Sequence, residues 1–174
     1  MPSRQADNER AQLMRDSYYD VAQVCPNGHV ATSMAATYSE HRQPHCEKCG
    51  EATITSCPKC QTDIRGYYHV PGVIGGFDYE PPSFCYRCGA AFPWTERRQQ
   101  AAIDLFIEET QNLEDQKVFR ESVEQITKDS PQAQVAAKRL TTLLGKIGKE
   151  TAGAIRDIVV DVASETAKKL LFPG

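Results

Sequence analysis

Apolar residues in the C-terminal half of the chain recur with the three-to-four-residue spacing of an amphipathic helix. Thr95 can cap the first stretch, TERRQQAAIDLFIEET, and further stripes follow. The sequence Asp-Ser-Pro at 129–131 breaks the pattern and restarts it, because proline fits the first turn of a helix. Residues 95–174 are therefore predicted to form a helical region. Its main apolar positions are Ile103, Phe106, Ile107, Leu113, Val118, Phe119, Val123, Ile126, Ala136, Leu140, Leu143, Leu144, Ile147, Ile155, Ile158, Val159 and Val162.

Three glycines, Gly145, Gly148 and Gly153, interrupt the last stripe. Each disfavours a helix by up to about 1 kcal/mol relative to alanine, so they predict a bend or a close contact between helices. We expect the helices to pack into a bundle. A second interpretation makes the last helix, about residues 150–171, a docking element for another protein or for a second copy of the chain. A membrane surface is a weaker alternative, because carboxylates on the polar side of this helix oppose anionic lipid.

Residues 21–94 lack the helical period and carry short apolar runs between turn residues. IRGYYHV predicts a strand, PGVIGG a turn and FDYEPPSF a returning strand, and VATSMAATYSEHRQPH predicts another short hairpin upstream. The aromatic residues of this region are expected to form its small core, with a base-stacking platform as the alternative. They are Tyr67, Tyr68, Phe77, Tyr79, Phe84, Tyr86, Phe92 and Trp94.

All seven cysteines lie between Cys25 and Cys88. Six of them form three C-x-x-C pairs, and the seventh, Cys25, precedes His29 by four residues. Two intervening residues allow a tight turn to direct both sulfurs at one ion, about 2.3 Å from each. Two tetrahedral sites are therefore predicted, with zinc as the metal because thiolate and imidazole ligands suit it. The predicted ligands are Cys25, His29, Cys46, Cys49, Cys57, Cys60, Cys85 and Cys88.

The order of the motifs predicts which pairs share an ion. A C-P motif opens each half, at Pro26 and Pro58, and a C-x-x-C-G motif closes it, at Gly50 and Gly89. Proline sets the turn, and glycine permits the left-handed conformation that brings backbone amides close to sulfur. Two tandem zinc ribbons with sequential pairing are thus favoured over the crossed pairing of RING-like modules.

The eighth ligand has competitors. His29 is one residue further from Cys25 than the second cysteine of a C-x-x-C pair, and Gly28 with the longer imidazole can accommodate that residue. His45 is the main alternative, although a residue adjacent to Cys46 is expected to point away from the ion. His41 and His69 are also available as ligands. If His29 instead lies on the surface, a water molecule or His45 would complete site one.

The charge and composition of the chain limit the kinds of partner and cellular location that we expect. The 174 residues contain 20 lysines and arginines against 23 acidic residues, so no single sign dominates partner choice. No apolar run approaches the roughly 18 residues of a membrane span, and residues 1–20 form a polar segment without the apolar core of a secretory signal. We therefore expect a cytoplasmic chain, in a reducing compartment where paired cysteines bind metal.

Catalysis is not expected. A catalytic zinc keeps a ligand position open for water, whereas eight protein ligands fill two tetrahedra. The sequence His45-Cys46-Glu47 before a C-x-x-C pair is similar to the H-x-E signature of zinc deaminases. However, the intervening segment is too short for that fold, and the proline follows Cys57 instead of preceding it.

Nucleic-acid binding is the alternative to protein binding. Residues 25–95 contain only five basic residues against six acidic ones, which is too few for the basic surface that binds nucleic acid.

The motifs CPNGH, CEKCG, CPKC, GYYHVPGV and FCYRCGAAFPW, with the helical end KIGKETAGAIRDIVVDVASETAKKLL, resemble an uncharacterised bacterial family of tandem zinc-ribbon proteins. The resemblance extends from about Tyr18 onward. It implies a bacterial cytosolic protein that binds metal, and it implies no activity.

The sequence thus predicts an α+β protein with a polar segment at 1–20, tandem zinc ribbons at 21–94 and a helical region at 95–174. Two Zn²⁺ ions are expected per chain. The predicted function is a non-catalytic protein-interaction or adaptor module. Its partner is another protein, or a second copy bound through the C-terminal helices.

Overall fold

The computed structural model describes residues 16–73 and 78–171, which form two compact units that divide between Phe92 and Pro93. Short antiparallel strands and tight turns make up the first unit, and helices make up the second. This arrangement confirms the predicted α+β class.

The strands of the ribbon unit are short. They are β1 Tyr18–Val21, β2 Gln23–Val24, β3 Val30–Thr32 and β4 Arg65–His69. Within the described residues, β1 pairs with β4 and β2 pairs with β3, both antiparallel. A 3₁₀ turn lies between β3 and β4, at Ser39–His41.

The strand predicted in IRGYYHV is β4, but its pairing differs from the predicted hairpin. Its partner is β1, from the end of the polar N-terminal segment, with Tyr19 opposite Tyr68. The expected return, FDYEPPSF, includes Phe77, which lies outside the described residues. Pro81 and Pro82 in this segment lack amide hydrogens and cannot donate to a strand ladder.

The upstream hairpin also differs from its prediction. VATSMAATYSEHRQPH contributes β3 and the 3₁₀ turn, and β3 pairs backwards with β2 across the turn at Cys25–His29. An isolated β-bridge flanks each of the three C-x-x-C turns in the same way. A short ladder or bridge therefore lies at the base of each metal-binding turn. The hairpin predicted within VATSMAATYSEHRQPH, between the first and second turns, is wrong.

A close backbone approach holds β4 against the loop after β3. The amide of Tyr67 donates to the carbonyl of Ser33 over 2.8 Å. A Cβ atom placed on Gly66 would lie 2.1 Å from that same carbonyl oxygen and 2.8 Å from the carbonyl carbon of Val21. Only glycine fits at this point of the strand.

The helical unit contains five helices among its described residues. They are α1 Pro93–Glu109, α2 Leu113–Ile126, α3 Pro131–Leu144, α4 Lys149–Val160 and α5 Glu165–Leu171. Asn112 caps α2 by accepting a hydrogen bond from the amide of Asp115, and Pro131 begins α3 as the sequence predicts. Phe106 and Phe119 stack at 4.0 Å in the core, where the predicted apolar stripes meet.

The predicted last helix at 150–171 is divided into α4 and α5. The helix breaks because the amide of Ser164 donates to the carbonyl of Ile126, at the C-terminal end of α2, over 2.8 Å. Ile155, Val159 and Val162 are buried in the unit, so the stripe proposed for docking is used inside the bundle. Every helix in the described part of the chain is too short or too polar to cross a bilayer.

Candidate metal centres

The eight predicted ligands gather into two groups of four within the described residues. In each group, all the candidate ligand atoms lie within 4.8 Å of one another. The grouping follows the chain in order, as the motifs predict, and is not crossed. Site one contains Cys25, His29, Cys46 and Cys49, and site two contains Cys57, Cys60, Cys85 and Cys88.

The atoms of site one have the spacing of a tetrahedral metal site. Cys25 Sγ lies 3.7 Å from Cys49 Sγ, and His29 Nδ1 lies 3.6 Å from Cys25 Sγ and 3.5 Å from Cys46 Sγ. Metal–sulfur bonds of about 2.3 Å and metal–nitrogen bonds of about 2.0–2.1 Å give tetrahedral edges of roughly 3.8 Å between sulfurs and 3.6 Å between nitrogen and sulfur. The measured separations match these edges.

Site two has the same dimensions. Cys57 Sγ lies 3.8 Å from Cys88 Sγ, and Cys60 Sγ lies 3.6 Å from Cys85 Sγ. These separations are far longer than a disulfide bond of about 2.05 Å, and none of the seven cysteines forms a disulfide. Both sites also share one burial order along the chain, in which the first and third ligands are buried and the fourth is exposed. The two sites are therefore built alike, as a tandem repeat requires.

The three C-x-x-C turns share one backbone design. The residue after the second cysteine has a positive φ, and its amide donates to the carbonyl of the first cysteine. This turn lets both side chains reach the same point, as predicted for the two glycines. The residues are Gly50 (φ 75°, donating to Cys46 over 2.8 Å), Gln61 (φ 60°, to Cys57, 2.8 Å) and Gly89 (φ 72°, to Cys85, 2.9 Å).

The CPNGH turn differs in the position of its left-handed residue. Gly28, with a φ of 88°, lies before the second ligand, and its amide donates to the carbonyl of Cys25 over 2.8 Å. The amide of Cys25 in turn donates to the carbonyl of His29 over 3.0 Å. This closes a three-residue loop of the type that ends in a left-handed residue. Gly28 thus accommodates the extra residue, and the longer imidazole reaches the site.

The other histidines lie outside both groups. His45 is exposed beside the second turn, His41 stacks on Tyr38 at 5.5 Å, and His69 contacts Asp20 at 3.1 Å. The structure therefore places His29, and not one of its competitors, with the three cysteines of site one.

Backbone amides and neighbouring sulfurs set the ionisation of the thiols. Burial raises the pKa of Cys25, whereas the amide of Glu51 is the main cause that lowers the pKa of Cys49 to about 6. The amide of Ala90 lowers the pKa of Cys88, but desolvation and the three other sulfurs of site two outweigh it and raise the pKa to about 11. The three thiols of site one and the four thiols of site two lie too close together to ionise fully without a cation among them. The sites are therefore suited to a divalent metal ion.

The ribbon unit also has an exposed aromatic surface. The guanidinium carbon of Arg65 lies 4.6 Å from the ring centre of Tyr19 and 3.8 Å from that of Tyr86, and Tyr19 and Tyr68 lie 4.6 Å apart. The three rings are 40–57% exposed, so the prediction that the ribbon aromatics form its core is wrong for Tyr68 and Tyr86. We call Tyr19, Arg65, Tyr68 and Tyr86 the tyrosine face. Sequence reasoning missed it because Tyr19 is far from Arg65 along the chain and only the β1–β4 pairing joins them.

No curated protein and no solved structure matches the chain. A family model described as "Uncharacterized protein conserved in bacteria" matches residues 18–171, which include both metal sites and all five described helices. The resemblance drawn from the motifs is thereby confirmed: the chain belongs to this bacterial family, DUF2321.

Proposed function

We propose that the protein is a zinc-binding, non-catalytic protein-interaction module of the bacterial cytoplasm. The observation that carries the proposal is that protein side chains occupy all four corners of each tetrahedron. A site of this kind leaves no position at which the metal could bind and activate water. The zinc is then structural.

Zinc supplies the stability that this unit needs. Its described strands have two to five residues, which is too short for a stable sheet alone. Structural zinc contributes about 10–16 kcal/mol of apparent binding free energy in small zinc-finger peptides, and that energy becomes folding energy. The rigid frame then presents the tyrosine face.

The composition of the tyrosine face supports a protein partner. Tyrosine and arginine are enriched among the residues that dominate binding energy at protein interfaces. Arg65 is held between two rings, so little side-chain freedom remains to be lost on binding. Residues 25–95 also contain fewer basic than acidic residues, which favours a protein over a nucleic acid as the partner.

Nucleic-acid binding is the second candidate, because exposed tyrosine rings with an arginine can stack on unpaired bases. A mobility-shift assay with single-stranded nucleic acid over a salt series separates the two candidates. Salt-sensitive binding that depends on Tyr68 and Tyr86 would favour nucleic acid. Absence of binding at low salt would leave the protein partner as the remaining candidate.

The protein-binding proposal is tested by capture from native cells, with mass spectrometry of the bound proteins. We expect one partner to be recovered by the wild-type chain and lost with the double variant Tyr68→Ala/Tyr86→Ala. Tyr38→Ala is the matched control, since Tyr38 is exposed but lies outside the tyrosine face. Equal recovery by all three proteins would contradict the proposed role of the face.

A further inference from the structure

A groove runs along the surface of the helical unit between α2 and α3. These helices are joined by four residues and pack as an antiparallel pair. Two adjoining cavities of about 390 and 350 Å³ form the groove, and Val135 and Arg139 line both. Val135 is 52% exposed at the centre, although the other valines of the helical unit are largely buried.

The two ends of this helix groove differ in chemistry. At one end, Val118 and Leu143 form an apolar floor beside the cations Lys138 and Arg139. At the other end, Glu121 and Glu124 line a cavity with two glutamines, and Arg139 lies at the border between this cavity and the first. None of these four charged side chains forms an ion pair with another residue of the described part of the chain.

We propose that the helix groove binds a second copy of the same face, related by a two-fold axis near Val135. A two-fold axis through the centre of the groove brings the basic end of one copy onto the acidic end of the other. The contact is therefore made twice, with Lys138 and Arg139 of each protomer facing Glu121 and Glu124 of its partner. Val135 then packs at the desolvated centre of the contact.

A second copy fits this surface better than an unrelated partner would. A partner helix of one charge sign would satisfy one end of the groove and oppose the other. The opposite charges at the two ends are satisfied together by the same surface turned through 180°. This self-association does not involve the tyrosine face, so it and the proposed function can fail separately.

Charge reversal in the full-length, metal-loaded protein tests the proposal by analytical ultracentrifugation. Lys138→Glu/Arg139→Glu makes both ends acidic, and Glu121→Lys/Glu124→Lys makes both ends basic. Each variant alone should be monomeric at concentrations where the wild type is a dimer. An equimolar mixture of the two variants should dimerise, because every contact then joins opposite charges.

The control variant Lys149→Glu/Arg156→Glu reverses two exposed charges of α4, outside the groove, and should remain a dimer. Far-UV circular dichroism of each variant shows whether its helices are intact, and the recovery of dimer in the mixture excludes misfolding as the cause of dissociation. A monomeric wild type at all concentrations would overturn the proposal. A dimer that survives both reversals, or a mixture that stays monomeric, would overturn it equally.

Discussion

The Nδ1 atom of His29 lies 3.5 Å from the Sγ atom of Cys46, although the two residues are 17 positions apart along the chain. This distance is the expected edge of a tetrahedron built from one imidazole and three thiolates. We expect His29→Ala and Cys25→Ser each to lose about one of two zinc ions, because three ligands remain at site one and site two is untouched. Elemental analysis of the purified proteins measures the ratio of metal to chain.

His45→Ala is the matched control for this measurement. His45 directly precedes Cys46, yet it is exposed and lies outside both groups of ligands. This variant should keep both ions. If His29→Ala retains two zinc ions while His45→Ala retains one, the assignment of the eighth ligand is refuted.

Chelation should unfold the ribbon unit and leave the helices formed. The core of the helical unit contains only helical residues and their immediate connections, whereas the ribbon unit has short ladders at the base of its metal-binding turns. After EDTA treatment, limited proteolysis should cut between residues 16 and 92, while helical circular dichroism is retained. Loss of the helical signal together with the metal would contradict this expectation, and restoration of resistance by added zinc is the control.

The metal ligands could be read from the sequence because local spacing determines them. A turn of two residues fixes the separation of two sulfurs, and the order of the turns then pairs them. The His29 turn follows the same logic, with Gly28 as its left-handed residue. The helical stripes were predictable for a similar reason, since their period depends on residues three or four apart.

The strand pairing could not be read in this way. β1 and β4 are 44 residues apart at Val21 and Arg65, and no local signal connects them. The break between α4 and α5 also depends on a distant acceptor, the carbonyl of Ile126. Both features depend on hydrogen bonds between residues that are distant along the chain, and the spacing of apolar residues carries no information about such bonds.

Asp20 should stabilise the ribbon unit at neutral pH. Burial raises the pKa of its carboxyl group, but hydrogen bonds from the side chain of Thr37, the amides of Val21 and Ala36 and the ring of His69 outweigh burial and hold the pKa below its usual value. Because the folded pKa is the lower one, the stabilisation is present above the unfolded pKa and is lost as pH falls through the folded pKa.

Asp20→Asn should therefore lower the free energy of unfolding by about 1–3 kcal/mol. The difference from the wild type should be present at pH 7 and should narrow as pH falls below about 4, the ordinary pKa of an aspartate. Urea denaturation with excess zinc, followed by near-UV circular dichroism, measures it above pH 5. Asp16→Asn is the control, because Asp16 is exposed. An equal loss of stability in Asp20→Asn and Asp16→Asn at pH 7 would contradict this expectation.

Two glycine substitutions should change stability in opposite directions. At Gly66, an added Cβ would lie 2.1 Å from the carbonyl oxygen of Ser33, so Gly66→Ala must displace backbone and should cost about 1–3 kcal/mol or more. At Gly153, inside α4, the same atom meets nothing within 4 Å. Gly153→Ala should therefore stabilise the helical unit by about 0.5–1 kcal/mol through higher helix propensity. Thermal unfolding of both variants beside the wild type measures the two effects. A stable Gly66→Ala protein would show that β4 does not pack against the carbonyl of Ser33.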